Sequence, residues 1–258
     1  MAGVDGSRAL DAAIDAARAA GRIALDYYRG RFDVMTKADQ TPVTQADQDA
    51  ERAIIEILGK AFPEYGFLGE EFGAKGSQER RWIIDPIDGT RNFVRHVPIW
   101  ATLIGLEEGG EITAGVIYNP VTDEMYAARR GGGARLNGEP IRVSSIDTLA
   151  RATFLHAGLG IVRKAGWWDG FAKLIDGSLS QRGPGDYAGY GLVASGRGEI
   201  YAELDLKPWD LAPCKIVVEE AGGRFTDFEG RPTIYTGSAL VSNSLLHDAA
   251  LALLRRDN

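Results

Sequence analysis

Apolar residues near the N-terminus recur every three or four positions, a spacing typical of amphipathic helices that bury one face. Ser7 is a candidate N-cap for the first helix, and Arg29 and Gly30 end it. Thr44 is a candidate N-cap for a second helix. The predicted buried stripe of the first helix is Leu10, Ile14, Ala17, Gly21, Leu25 and Tyr28. That of the second is Ala50, Ile54, Ile57, Leu58 and Ala61.

The middle of the chain has the pattern of β-strands. Short apolar runs are separated by turns rich in Gly, Asn, Asp and Pro, which predicts an antiparallel meander that the two helices can cover. Gly131 to Gly133 could suggest a phosphate-binding loop, but no helix follows, so a hairpin is the better interpretation. The runs of this meander span residues 99–107, 112–118, 125–128 and 134–136. A separate apolar run at 82–84 precedes them and has the pattern of a strand buried on both faces.

The last part alternates between the two patterns, which predicts a mixed β/α layer. A helix is expected at 186–195, another through Leu211, Cys214, Val217, Val218 and Ala221, and a terminal helix up to Arg255. The fold class is therefore a layered α+β or α/β sandwich. An antiparallel half (residues 1–145) is followed by a mixed β/α half (146–258). Predicted strands span residues 153–156, 178–181, 199–204, 224–227 and 239–242.

The composition excludes several classes of function. The 258 residues carry a net charge of −7, which argues against nucleic acid or an anionic membrane as the main partner. We find no signal peptide and no apolar run of membrane-spanning length. The single cysteine, Cys214, excludes an internal disulfide, and three scattered histidines argue against a zinc site. These features favour a cytoplasmic enzyme or binding protein.

Two aspartates follow the buried run at residues 82–84. Asp85 and Asp88 are separated by Pro86, which makes the turn rigid, and followed by Gly89, which permits close approach of a ligand. Two carboxylates held this way can share a hard cation such as Mg²⁺. The alternative is an ordinary solvated turn.

Three further acids are candidates with equally ordinary alternatives. Asp47 lies in the first turn of the second helix, where an acid offsets the helix dipole. Glu70, in the pair Glu70–Glu71, could belong to a charged surface. Asp210 opens a later helix and could simply cap it.

Taken together and in order, these stretches resemble the signatures of the inositol monophosphatase family. They are Val43-Thr-x-x-Asp47, Gly69-Glu-Glu71, the stretch from Trp82 to Phe93, and Trp209-Asp-x-Ala212 followed by Glu220-Ala-Gly-Gly223. The resemblance covers nearly the whole chain. It implies a lithium-sensitive, Mg²⁺-dependent phosphomonoesterase with an αβαβα sandwich, commonly a homodimer, that acts on a small phosphorylated metabolite.

The resemblance also implies a role for each acid, with two or three Mg²⁺ ions per site. Glu70, Asp85 and the Ile87 carbonyl would hold one ion, Asp85, Asp88 and Asp210 a second, and a looser third would share Glu70. The catalytic set would be Thr90, Asp47 and Glu70, with Thr90 oriented by Asp47 to activate water. The implied substrate-binding residues are Asp88, Gly89, Thr90, Arg182, Asp186, Glu203 and Asp210.

Three local features resemble the histidinol-phosphate phosphatase branch of the family. They are the stretch from Asn92 to Pro98 with Arg95, Gly185-Asp-Tyr187, and the stretch from Glu203 to Asp210. Glu203 and Asp186 would face the cationic substrate, and Arg182 would contact the phosphate. Inositol-1-phosphate is the alternative substrate, also recognised by an acid at Glu203. A catalytically silent protein that binds a phosphate ligand is a more remote alternative.

Overall fold

The computed structural model describes residues 6–30, 34–36 and 42–255, with the backbone alone at 34–36 and 42–44. Its helices are α1 Gly6–Arg29, α2 Gln45–Ala61, α3 Thr90–Val94, α4 Leu159–Lys164, α5 Trp168–Gly177, α6 Asp186–Ala194, α7 Pro208–Glu220 and α8 His247–Leu254. The first strands are β1 Val34–Thr36, β2 Pro42–Thr44, β3 Gly66–Gly69, β4 Gly73–Lys75, β5 Arg80–Asp88, β6 Ala101–Glu108, β7 Glu111–Asn119 and β8 Glu124–Arg129. The remaining strands are β9 Ala134–Leu136, β10 Glu139–Pro140, β11 Thr153–His156, β12 Ser180–Arg182, β13 Ile200–Leu204, β14 Arg224–Thr226 and β15 Ser238–Ser242.

These elements form five layers, which confirms the predicted αβαβα sandwich. An eight-stranded sheet has the order β10-β9-β8-β7-β6-β5-β3-β4, and a five-stranded sheet has the order β12-β11-β13-β15-β14. Helices α1 and α2 cover the outer face of the first sheet, α6 and α7 lie between the sheets, and α5 and α8 cover the second sheet. No helix within the described ranges combines the length and apolar character that a membrane crossing requires.

The predicted meander is confirmed, because β6 to β9 pair antiparallel in order, but the first sheet is not antiparallel throughout as expected. Strand β3 pairs with β5 in parallel, with Gly66 opposite Arg81 and Gly69 opposite Ile84. A parallel pair needs a crossover connection. Here the chain reaches β5 through the short strand β4, whose residues are all exposed. An exposed three-residue strand has no alternating pattern to detect. The second sheet is mixed, as expected, because β11 is parallel to β12 and β13 whereas β15 is antiparallel to β13 and β14.

The buried face of α1 is displaced from the predicted stripe, of which only Ala17 and Gly21 are fully buried. Its fully buried residues are mostly alanines, and a Cβ at Gly21 would lie 2.7 Å from the ring of Tyr118. Small residues let the helix approach β7 closely, so Leu10 and Ile14 lie at the margin of the interface and are only partly buried. The expected cap at Ser7 is wrong, because α1 begins at Gly6 and Ser7 lies inside it. The side chain of Thr44, the other expected cap, lies outside the described residues.

Helix α7 is buried on almost every side because it lies between the two sheets. Two glycines of the first sheet make room for it. A Cβ at Gly105 would lie 2.7 Å from the Cβ of Ala212, and one at Gly115 would lie 2.5 Å from Ile216 Cγ2. This packing fixes the first turn of α7, which carries Asp210, beside the end of β5.

Candidate active site

The end of β5 forms a rigid turn that presents two aspartates. The N–H of Ile87 donates to Asp85 Oδ1 at 3.0 Å, and Thr102 Oγ1 donates to the Pro86 carbonyl at 2.9 Å. The pairing of β5 with β6 is irregular between Asp85 and Asp88. The side chains of these two residues therefore do not follow the regular up-and-down alternation of the strand. Together these contacts hold the turn from both sides.

Gly89 ends this turn and starts α3. Its φ of 84° is left-handed, and an added Cβ would lie 2.9 Å from the carbonyl oxygen of Ile99. Only glycine meets both conditions without strain. Thr90 follows as the first residue of α3, and its Oγ1 donates to the Ile87 carbonyl at 3.1 Å.

Asp85, Asp88 and Asp210 form a compact acidic cluster. One carboxylate oxygen from each lies within 4.8 Å of the others. The Tyr187 N–H donates to Asp88 Oδ2 at 2.7 Å, and the Lys207 N–H donates to Asp210 Oδ2 at 2.7 Å. These two backbone donors, both from the second half of the chain, orient the carboxylates at the centre of the cluster.

Glu70 borders the same cleft but lies outside the three-acid cluster. It directly follows β3, and its N–H donates to the Ile84 carbonyl at 3.1 Å. Burial is the main cause of the raised pKa values of Asp85 and Asp210, and the charge of nearby Glu70 raises both further. Glu70 is therefore close enough to the cluster to share its electrostatics.

Burial makes this cluster costly unless it is neutralised. Burial, followed by the charge of neighbouring acids, raises the pKa values of Asp85 and Asp88 well above the usual range for aspartate. Burial likewise raises the pKa of Asp210 to about 7. A divalent cation would remove this repulsion. The donor set consists of carboxylate oxygens, which suits Mg²⁺. The residues present therefore fit a hard cation.

The cleft around the cluster has a volume of about 240 Å³ and continues into a second acidic region. Asp186 Oδ2 accepts a hydrogen bond from Asn92 Nδ2 at 2.8 Å, and burial raises the pKa of Asp186 to about 6. Glu203 Oε2 accepts hydrogen bonds from Tyr201 at 2.6 Å and Tyr190 at 3.4 Å. Burial raises the pKa of Glu203 to about 8. This half of the cleft therefore has two carboxyl groups with raised pKa values, and a bound cationic ligand would favour their charged forms.

Two predicted residues lie apart from the cleft lining. Arg182 lies on β12, is exposed, and donates through Nη1 to the Gln181 carbonyl at 2.7 Å. Asp47 is buried in the first turn of α2, directly after β2, and β2 packs against α3. Their assigned roles stay predictions.

The sequence analysis gave no role to two residues that line the cleft, Arg91 and Ile161. It named Tyr187 only as part of a motif, and the structure shows that its backbone N–H holds Asp88. Arg91 directly follows Thr90 and lies within the stretch from Trp82 to Phe93, so its place in that motif could have indicated that it lines the cleft. The position of Ile161 in α4 depends on how the second half folds, which no local pattern indicates.

Comparison with known proteins identifies the class. The model of the inositol monophosphatase family matches residues 5–258, and the chain belongs to this family of phosphoric monoester hydrolases. The histidinol-phosphatase of Chlorobaculum parvum is 42% identical over 236 residues, covering 90% of this chain and 91% of that protein. The inositol-1-monophosphatase of Mesorhizobium japonicum is 35% identical over 260 residues, 97% of each chain. The crystal structure of the extragenic suppressor protein suhB from Bartonella henselae superposes with a TM-score of 0.91 at 32% identity, covering 97% of this chain and 99% of that one.

Proposed function

We propose that this phosphatase hydrolyses histidinol phosphate to histidinol and inorganic phosphate and that the reaction requires Mg²⁺. The main observation is the pairing of two acidic regions in one cleft. The cluster of Asp85, Asp88 and Asp210 suits cations and a phosphate, and Asp186 with Glu203 suits a cationic alcohol. Relatives from three organisms with at least 40% identity carry the name histidinol-phosphatase, which supports the same substrate.

Glu70, Asp85, Asp88, Asp210 and the Ile87 carbonyl would hold the Mg²⁺ ions, two or three per site. Bound Mg²⁺ supplies charge stabilisation for the phosphoryl group and a more acidic water. The backbone N–H groups of Gly89 and Thr90 donate to the phosphate oxygens.

Thr90 positions the attacking water in this proposal. Its hydroxyl donates to the Ile87 carbonyl, so the lone pairs of Oγ1 are free to accept a hydrogen bond from water. The water oxygen forms a bond to phosphorus as the bond between phosphorus and the ester oxygen breaks. The attacking water loses one proton to solvent and the leaving alkoxide gains one from solvent, so one water is consumed and histidinol and phosphate are formed. Asp47 would orient Thr90 through β2, which packs against both α2 and α3.

Glu203 and Asp186 select the alcohol. Histidinol phosphate carries an ammonium and an imidazole, and ionised carboxylates a short distance beyond the phosphate would pair with them. Inositol phosphate offers only neutral hydroxyls, which gain less from a charged partner.

Inositol-1-phosphate is the second candidate substrate. Relatives 35% and 39% identical are named inositol-1-monophosphatase, and Glu203 could accept hydrogen bonds from a sugar hydroxyl as well. A homodimer, expected from the family, stays a prediction.

The proposal is tested by phosphate release from a panel of small phosphomonoesters, with Mg²⁺ or with EDTA. We expect histidinol phosphate to give the highest kcat/KM and EDTA to abolish release. A highest kcat/KM for inositol-1-phosphate would transfer the assignment to the second candidate. Turnover that persists in EDTA would contradict the metal requirement.

A further inference from the structure

Glu51 is a fully buried carboxylate of α2 that the proposed chemistry does not use. It lies four residues after Asp47, on the same buried face of the helix. Its Oε2 accepts a hydrogen bond from the Glu71 N–H at 2.9 Å, and its Oε1 accepts one from the Phe72 N–H at 3.2 Å. Both oxygens therefore bind the turn that directly follows Glu70.

Gly69, just before Glu70, lacks a side chain, and this leaves the space that the Glu51 carboxylate occupies. A Cβ at Gly69 would lie 1.8 Å from Glu51 Oε1 and 2.6 Å from Glu51 Cδ. No side chain fits there while Glu51 keeps its position. Burying a carboxylate is costly unless hydrogen bonds compensate it, so the fold places this group against backbone N–H donors.

The turn is also held from the other side. The Glu70 N–H donates to the Ile84 carbonyl of β5 at 3.1 Å, one residue before Asp85. On the side of α2, the guanidinium carbon of Arg52 lies 5.5 Å from the ring centroid of Phe72. Strand β5 thus holds the start of the turn, and α2 holds its end.

We infer that Glu51 is a positioning residue that fixes the Glu70 carboxylate beside the acidic cluster and thereby sets the affinity for Mg²⁺. The inference rests on the proposed function, in which Glu70 binds a metal ion. Glu51 acts only through the backbone of the turn and touches neither substrate nor metal. Partners that orient metal ligands typically change metal affinity or activity by about 10- to 100-fold when they are mutated.

The Glu51→Gln substitution tests this role because it keeps the shape and removes one acceptor. Glutamine has one carbonyl oxygen and an NH₂ group, so one of the two N–H groups loses its acceptor and faces a donor. The turn should loosen although the core remains filled. The matched control is Glu56→Gln on the same helix, because Glu56 is exposed and forms a surface ion pair with Lys60.

Two measurements on the protein without substrate report the effect. Calorimetric titration should show the Kd for Mg²⁺ raised about tenfold in Glu51→Gln and unchanged in Glu56→Gln. Hydrogen exchange of the metal-free protein should be faster at the amides of Glu71 and Phe72 in Glu51→Gln alone. A wild-type Kd in Glu51→Gln, or unchanged exchange at these amides, would overturn the inference. Absence of Mg²⁺ binding by the wild-type protein would instead overturn the proposed function.

A double-mutant cycle provides a second test that does not depend on how well Glu51→Gln folds. Gly69→Ala alone should displace the Glu51 carboxylate and weaken Mg²⁺ binding. In a Glu51→Ala background the same substitution meets no carboxylate, so it should cost little more. Losses that simply add in the double variant would show that Gly69 and Glu51 act separately, which contradicts the inference.

Discussion

Replacement of Glu203 by glutamine tests how the cleft selects its substrate. Glu203 is 8% exposed and lines the cleft, and Tyr201 and Tyr190 hold its Oε2. Glutamine keeps the size of the side chain and removes the charge that would pair with the ammonium or imidazole of histidinol phosphate. A charge-assisted contact contributes about 1.5–3 kcal/mol, which corresponds to roughly tenfold to hundredfold in kcat/KM.

The protonation state of Glu203 adds a pH dependence to this effect. Burial raises its pKa to about 8, so in the metal-free protein the carboxyl group is neutral below that pH and charged above it. Bound cations favour the charged form and lower the midpoint. The preference for histidinol phosphate over a phosphate ester of an uncharged alcohol should therefore increase as the pH rises towards about 8.

The assay compares kcat/KM for histidinol phosphate and p-nitrophenyl phosphate, in wild type and in Glu203→Gln, across this pH range. Both reactions share the metal site, so its titration changes the two kcat/KM values alike. The ratio of the two kcat/KM values is therefore independent of that titration. We expect the ratio to fall by roughly tenfold to hundredfold in Glu203→Gln and to lose its increase with pH. Equal slowing of both substrates would refute the selectivity role of Glu203.

The acidic cluster and the residues near α3 lead to four further expectations. EDTA should abolish phosphate release and Li⁺ should inhibit it in a steady-state assay, whereas full activity in EDTA would exclude the metal requirement. Asp88→Asn and Asp210→Asn should each lower kcat by about 10²-fold or more. Because one pKa unit corresponds to about 1.4 kcal/mol and Asp210 is partly exposed, Asp210→Asn should stabilise the metal-free protein by roughly 1–3 kcal/mol. The raised pKa means that this gain appears as the pH increases from about 4 to about 7, which thermal unfolding at both pH values would detect or refute. Thr90→Ala and Asp47→Asn should lower kcat with little change in Mg²⁺ affinity, and a large calorimetric loss of binding in Asp47→Asn would contradict its role.

The acidic motifs were readable from the sequence because each is local. Asp85 and Asp88 were placed on a Pro-containing turn after a buried strand. In the structure β5 runs on to Asp88, and the two aspartates lie where its pairing with β6 is irregular. The apolar spacing of α7 also predicted its helix, with Asp210 in the first turn. What the spacing could not show is that α7 lies between two sheets, because that depends on Gly105 and Gly115 in distant strands.

Glu51 shows why other parts of the site were not predicted. An acid in the middle of an amphipathic helix usually faces solvent, and nothing local to α2 indicates that Glu51 faces the turn after β3. Its acceptors are matched to N–H groups 20 and 21 residues away in sequence. A polar residue at a position that helical spacing assigns to the buried face, four residues after Asp47, was the signal available. The missed parallel pairing of β3 with β5 has the same origin, because it too depends on contacts that are remote in sequence.

A competition experiment tests the proposed substrate and cofactor most directly. Equal concentrations of histidinol phosphate and inositol-1-phosphate are mixed with the protein and Mg²⁺, and ³¹P NMR follows both esters in one tube, so the relative rates give the ratio of the two kcat/KM values. If Glu203 and Asp186 pair with the cationic substrate, histidinol phosphate should disappear at least about tenfold faster, and neither ester should react in EDTA. Faster loss of inositol-1-phosphate, or equal loss of both, would contradict the histidinol phosphate assignment.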